Sequence, residues 1–230
     1  VYNYHVMGLK NCLIIRPHFT KYLLMTYKLI YFKLWVDVLD LMIKKDHLTE
    51  SGLLKIIAIK FSFKKGINSN LIHSFPNIKP LLQYDYNPPI HLMNNAWLTG
   101  FINTYGSFGI YISKNSSDHS KYNVVPQIRI YQDVISLVVL DSIKNMLGNG
   151  ILIKPNINRS VATLSFNNKE AISLIIKICN ENHLHGAKNL DFLEFCKGYE
   201  LYTKKAHLDP IGINKLINIV NGMNTNRKFD

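Results

Sequence analysis

Leu98-Thr99-Gly100-Phe101-Ile102-Asn103-Thr104-Tyr105-Gly106-Ser107-Phe108 is the stretch on which the fold turns. From Trp97 to Tyr105 it reads as a short apolar helix. After Gly106 the period changes. Phe108, Ile110 and Ile112 alternate with Ser107, Gly109, Tyr111 and Ser113, as they should in a strand buried on one face only. A helix running straight into a strand is therefore the seed of the fold.

Working outward, Val125 to Gln132 alternates in the same way, with Ile128 and Ile130 inward and Gln127, Arg129 and Tyr131 outward. Val134 to Leu147 reads as a helix stopped by Gly148. Ile151 to Lys154 and Val161 to Phe166 form a second hairpin, and helices follow at Lys169–Asn182, Asn189–Ala206 and Ile211–Gly222. The order of helix, two strands, helix, two strands, then helices predicts an α+β unit. Its four-stranded antiparallel sheet is covered by helices on one face.

An internal repeat organises the rest. Lys44-Lys45-Asp46-His47-Leu48, Gly52-Leu53, Lys55-Ile56-Ile57 and Ile59 reappear 160 positions later, without a gap. There they read Lys204-Lys205-Ala206-His207-Leu208, Gly212-Ile213, Lys215-Leu216-Ile217 and Ile219. The same shift sets Phe32 and Trp35 opposite Phe192 and Phe195, and an expected strand around Val6 opposite the one around Phe166. Residues 95–230 then form a complete second repeat, and residues 1–67 the C-terminal half of a first one. Between them, residues 68–94 hold Pro76, Pro80, Pro88 and Pro89 and read as a linker. A full first repeat would begin about 60 residues before Val1. The expectation is a sequence that starts inside a longer reading frame or has lost a segment, with no signal or transit peptide visible.

The segment Leu98–Gly106 resembles the signature helix of the LAGLIDADG homing endonucleases and intron maturases. Trp97, Phe75-Pro76-Asn77 and the run His47–Ile56 resemble the two-repeat organellar branch of that family. The resemblance covers essentially the whole chain. It implies an α+β, homing-endonuclease-like fold with a concave antiparallel saddle sheet. It also implies two motif helices packed together, with small residues such as Gly100 allowing close approach. In the family each helix ends in an acid that holds a divalent metal for phosphodiester hydrolysis. Here the matching positions are Asn103 and Tyr105. A phenol stays protonated near neutral pH and is a poor Mg²⁺ ligand. The expectation from sequence is therefore a degenerate, catalytically inactive endonuclease with no metal and no cofactor.

Charge supplies the partner class. Lys+Arg number 27 against Asp+Glu 15, a formal charge of +12, and the pI is near 9.5. Such a surplus points to a polyanion, because basic side chains displace the counterions condensed on phosphates. The most apolar long stretch, Met25 to Ile43, carries Lys28, Lys33, Asp37 and Asp40, which excludes a membrane span. Cys12, Cys179 and Cys196 are an odd, widely spaced set inside apolar stretches. They support neither a zinc site nor a disulfide framework, and read as buried thiols of a reducing compartment.

With the apolar alternation facing the helices, the other sheet face is the candidate nucleic-acid-binding surface. It is expected to carry Tyr111, Ser113, Gln127, Arg129, Tyr131, Lys154, Asn156, Arg159 and Thr163. Lys114, His119 and Lys121 join them from the loop between the first two strands. Taken singly, each is an ordinary solvated residue; as a set they fit phosphate neutralisation, hydrogen bonding and stacking. Lys44-Lys45 and Lys204-Lys205 sit at helix ends, where cations suit the helix dipole.

The leading functional expectation is an RNA-binding structural component of an organellar ribonucleoprotein, the mitochondrial ribosome. It would contact rRNA and neighbouring ribonucleoprotein subunits. The alternatives are a group I intron maturase bound to intron RNA, or an active DNA homing endonuclease. Abundant Ile, Asn, Lys, Tyr and Phe suggest AT-rich codons, hence an organelle-encoded protein of the mitochondrial matrix.

Overall fold

The structure is a computed structural model that describes residues 4–63, 67–81, 84–116, 122–153, 160–224 and 227. The chain divides into two compact units, Val1–Ile90 and His91–Asp230. The second unit is the α+β domain read from the sequence.

That unit begins with α5 (Asn95–Tyr105). Asn94 starts it by accepting a hydrogen bond from the Trp97 amide at 2.9 Å, satisfying one of the donors every helix N-terminus leaves open. Leu98, Thr99, Phe101 and Ile102 form its buried stripe. The chain then passes directly into β1 (Gly106–Lys114). Only glycine fits at this corner, because a Cβ on Gly106 would lie 2.5 Å from the Ile102 carbonyl oxygen. After β2 (Tyr122–Asp133) come α6 (Leu137–Leu147), ended by Gly148 at φ 68°, and a hairpin of β3 (Ile151–Ile153) and β4 (Val161–Phe166). Three helices close the unit: α7 (Lys169–Asn182), α8 (Gly186–Thr203) and α9 (Pro210–Asn221).

The strands are antiparallel in the order β1-β2-β4-β3. One face is dry, with Phe108, Ile128, Ile130, Ala162, Leu164 and Phe166 all fully buried. Phe108 packs between Phe192 and Phe195 of α8, ring centroids 5.3 and 5.6 Å away. Each such ring or branched aliphatic side chain contributes about 1.5–3 kcal/mol by leaving water. Burying this face fixes the register, since a slip of one residue would turn every inward side chain out.

The first unit is helical. It comprises α1 (Leu9–Lys21), α2 (Lys28–Ile43), α3 (Glu50–Phe61) and the short α4 (Ser69–Ser74). The strand expected around Val6 is absent: residues 4–7 pair with no strand among the described residues, and a strand without a hydrogen-bonded neighbour is not one. The expected linker holds α4. It also ties back to its own unit, with the Tyr84 hydroxyl donating to Asp37 and that of Tyr86 to the Met25 carbonyl.

The repeat has the same backbone at both places. Lys45 and Lys205 are both left-handed, at φ 61° and 58°. Each opens a single 3-10 turn, Asp46–Leu48 and Ala206–Leu208, followed by a side-chain cap from Thr49 or Asp209. Gly52 and Gly212 are required for the same reason. A Cβ on either would stand 2.0 Å from a backbone oxygen, that of Asp46 or Ala206. No helix of the described residues is long and apolar enough to cross a membrane.

Candidate nucleic-acid interface

The second face of the sheet is built by the same alternation that fills the core. The register sets Ser107, Arg129, Ser165 and Ile151 in one row across all four strands. Tyr131, Thr163 and Ile153 form the next row, and Asp133 lies beside Val161. In the other direction come Gly109 beside Gln127, Tyr111 beside Val125 and Ser113 beside Asn123. Tyr111, Ser113, Gln127, Arg129, Tyr131 and Thr163 thus share one surface.

Two of these side chains are held in place before any ligand arrives. The Arg129 guanidinium lies over the Tyr111 ring, 4.6 Å from its centroid. That ring in turn lies along its own strand above Gly109, where a Cβ would stand 3.3 Å from it. Gln127 donates through its amide nitrogen to Ser165 Oγ on β4. A stacked guanidinium has fewer rotamers to lose on binding, which is the entropic gain of a preorganised contact.

Other expected residues fall elsewhere. Lys114 is the last residue of β1, paired with Tyr122, and not part of a loop. Strand alternation puts it on the helix-side parity, and it is exposed there. Lys121, His119, Lys154, Asn156 and Arg159 lie outside the described residues.

The end of α5 has a different character. Trp97, Phe101 and Tyr105 form an aromatic ladder, with centroids 4.7 and 4.9 Å apart. Asn103 Oδ1 accepts from the His185 amide at 2.8 Å and so fixes the chain entering α8. Lys188, which sequence reasoning missed, donates from Nζ to the Gly106 carbonyl at 2.6 Å. Burial pushes the Lys188 pKa down, opposed by the Asp191 charge. The helix predicted to begin at Asn189 begins at Gly186, which brings Lys188 into its first turn. Asp191 is buried, accepts from the Asn224 amide and Arg227, and ties the last described residues to α8. Asn224 also donates to the Phe108 carbonyl.

A divalent metal of the kind the fold family implies needs oxygen ligands, chiefly carboxylates. Positions 103 and 105 offer an amide already in use and a ring in a packed ladder. No group of three His, Cys, Asp or Glu among the described residues is placed to hold an ion. These residues do not fit the metal, and no chemical step is routed through one. Burial raises the Cys179 thiol to about 12 and that of the half-buried Cys196 to about 11, so neither is a ready thiolate near neutral pH.

A family model described as LAGLIDADG endonuclease matches residues 98–199. The chain is similar to probable intron-encoded endonuclease 3 of Neurospora crassa, 24% identical over 94% of this chain and 40% of that protein. It is similar also to probable intron-encoded endonuclease 2 of the same fungus, 26% identical over 95% of this chain and 48% of that protein. The chain thus spans less than half the length of the curated relatives it matches. Among solved structures it superposes on the I-SmaMI LAGLIDADG homing endonuclease bound to cleaved DNA. There the TM-score is 0.89 and the identity 29%, over 96% of this chain and 74% of that one. I-AabMI bound to uncleaved DNA shares the fold, with TM-score 0.86 and identity 23%, over 95% of this chain and 76% of that one.

These findings overturn the expectation of a degenerate, catalytically inactive protein. The relatives are named endonucleases, and a structural neighbour is a homing endonuclease bound to cleaved DNA. The error lay in reading a whole active site from positions 103 and 105, when the chain matches less than half of its relatives' length. Residues 98–199 thus carry a LAGLIDADG endonuclease domain, and the chain is similar in sequence to intron-encoded endonucleases and in fold to LAGLIDADG homing endonucleases.

Proposed function

We propose that the chain is part of an intron-encoded DNA homing endonuclease and that its second unit grips duplex DNA with the open face of the sheet. The observation carrying this reading is the preorganised surface around Arg129, with Tyr111 stacked beneath it and Gln127 fixed by Ser165. The neighbours of the same fold that bind DNA support a duplex as the ligand. A twisted antiparallel ribbon fits the major groove, where a fork such as that of Arg129 pairs with guanine O6 and N7. The surplus of basic residues supplies the phosphate contacts and a steep salt dependence.

This reading takes the place of the rRNA brace expected from sequence, because the relatives are intron-encoded endonucleases. Residue usage and those same relatives support an organellar gene. The test is selection of duplexes from a randomised pool by the immobilised chain, followed by competition with single-stranded DNA and RNA of the selected sequence. Enrichment of one duplex sequence that its single strands and RNA cannot displace is expected. Equal retention of RNA would overturn the reading.

A further inference from the structure

One corner of the open sheet face differs from the rest. Ile151 and Ile153 on the edge strand β3 are 53% and 54% exposed, and Val161 on β4 is 48% exposed. Thr163 sits in the row with Ile153, and Ser165 in the row with Ile151. An antiparallel sheet with one wet face normally turns polar side chains outward, so three clustered branched aliphatics there need an explanation. A bare apolar edge strand is also a liability for self-association. The first two strands carry Tyr111, Gln127, Arg129 and Asn123 with the exposed Val125 on the same face, and Arg129 shares its row with Ile151, with Ser165 between them.

Among the described residues the charged side chains that flank the corner in the register are Asp133, paired with Val161, and Arg129, in the row of Ile151 with Ser165 between them. A carboxylate beside an apolar patch repels phosphate. It tolerates the floor of the major groove, where the apolar group on offer is the C5-methyl of thymine. The dimensions agree. Ile151 and Ile153 are two strand residues apart, about 7 Å, which matches about two base-pair steps of 3.4 Å.

We infer that this corner reads thymine methyls: Ile151, Ile153 and Val161 set a preference for A·T pairs over two to three positions, beside the part of the site that Arg129 covers. The inference rests on the DNA-binding reading above and adds to it which bases the β3–β4 end selects.

The test uses the full chain and a duplex recovered by selection, with each thymine replaced in turn by deoxyuridine. That exchange removes a methyl group and leaves every hydrogen bond of the base pair. Two or three positions should each lose about 4-fold in affinity, the worth of one buried methyl. The Ile151→Ser/Ile153→Ser/Val161→Ser variant should bind the thymine and deoxyuridine duplexes equally. All three residues are exposed, so this variant keeps its core, and its thermal transition checks that. The inference fails if duplex binding persists with no methyl effect, or if the methyl effect survives in the variant. It fails too if the variant binds every duplex like the parent but loses self-association in sedimentation velocity, which marks the patch as a protein contact. Absence of binding to any duplex would instead bring down the DNA-binding reading.

Discussion

Replacing Arg129 probes the preorganised site. Its guanidinium lies 4.6 Å above the Tyr111 ring and faces outward on a sheet whose register is fixed by the buried side. A bidentate base contact is worth about 1–3 kcal/mol, or roughly 5- to 150-fold in Kd. Arg129→Lys keeps the charge but loses the planar fork and much of the stack. It should therefore lower affinity for the selected duplex within that range, while the slope of log affinity against log salt stays as in the parent. Arg129→Ala should lower affinity at least as far, and Tyr111→Ala should reproduce part of the loss by freeing the arginine. Fluorescence anisotropy across about 50 to 200 mM salt separates the two effects. If Arg129→Lys binds like the parent, and Arg129→Ala only reduces the salt slope by about one, Arg129 is a phosphate contact. The base-reading role would then be wrong.

Four further outcomes concern the scaffold. Gly212→Ala should destabilise the second unit by about 1–3 kcal/mol, because its Cβ would stand 2.0 Å from the Ala206 carbonyl oxygen. Gly100→Ala, whose Cβ meets nothing within 4 Å, should stabilise by up to about 1 kcal/mol; denaturant titration that finds the signs reversed refutes the pair. Asp191→Asn leaves Arg227 short of its partner at a site where the two side chains are only 9% and 16% exposed. A loss of about 2–4 kcal/mol, roughly 5–15 °C in Tm, should follow in calorimetry. At pH 8 a thiol with a pKa of about 12 is thiolate in only about one molecule in 10⁴. Native alkylation followed by mass spectrometry should therefore leave Cys179 unmodified until denaturant is added.

The second unit was legible because each of its elements is locally consistent. Alternation names β1, β2 and β4, Gly148 marks the end of α6, and the 160-residue shift pairs Gly52 with Gly212. The failures have physical causes. Val6 was made a strand by analogy with Phe166, but strand formation depends on a neighbour that composition cannot show. The helix α1 went unread although it lies 160 residues before α7, because Pro17 breaks its helical pattern. On the open face, alternation was enough to sort Tyr111, Gln127 and Arg129 to one side. It could not show the stack on Tyr111 or the hydrogen bond to Ser165, which depend on side chains of neighbouring strands. Lys188 was missed because a helix N-terminus is set by one turn of backbone, and one turn is the margin by which a sequence reading errs.

The most direct measurement of the central claim is site-specific photocrosslinking to a selected duplex. A photoreactive residue is placed either at exposed positions of the open sheet face, Tyr111 and Ile153, or at Leu193, 46% exposed on α8. Crosslinks to DNA from positions 111 and 153, with none from 193, are the predicted result. Crosslinks from 193 with a silent sheet face would contradict it, and would place the nucleic acid on the helical side of the unit.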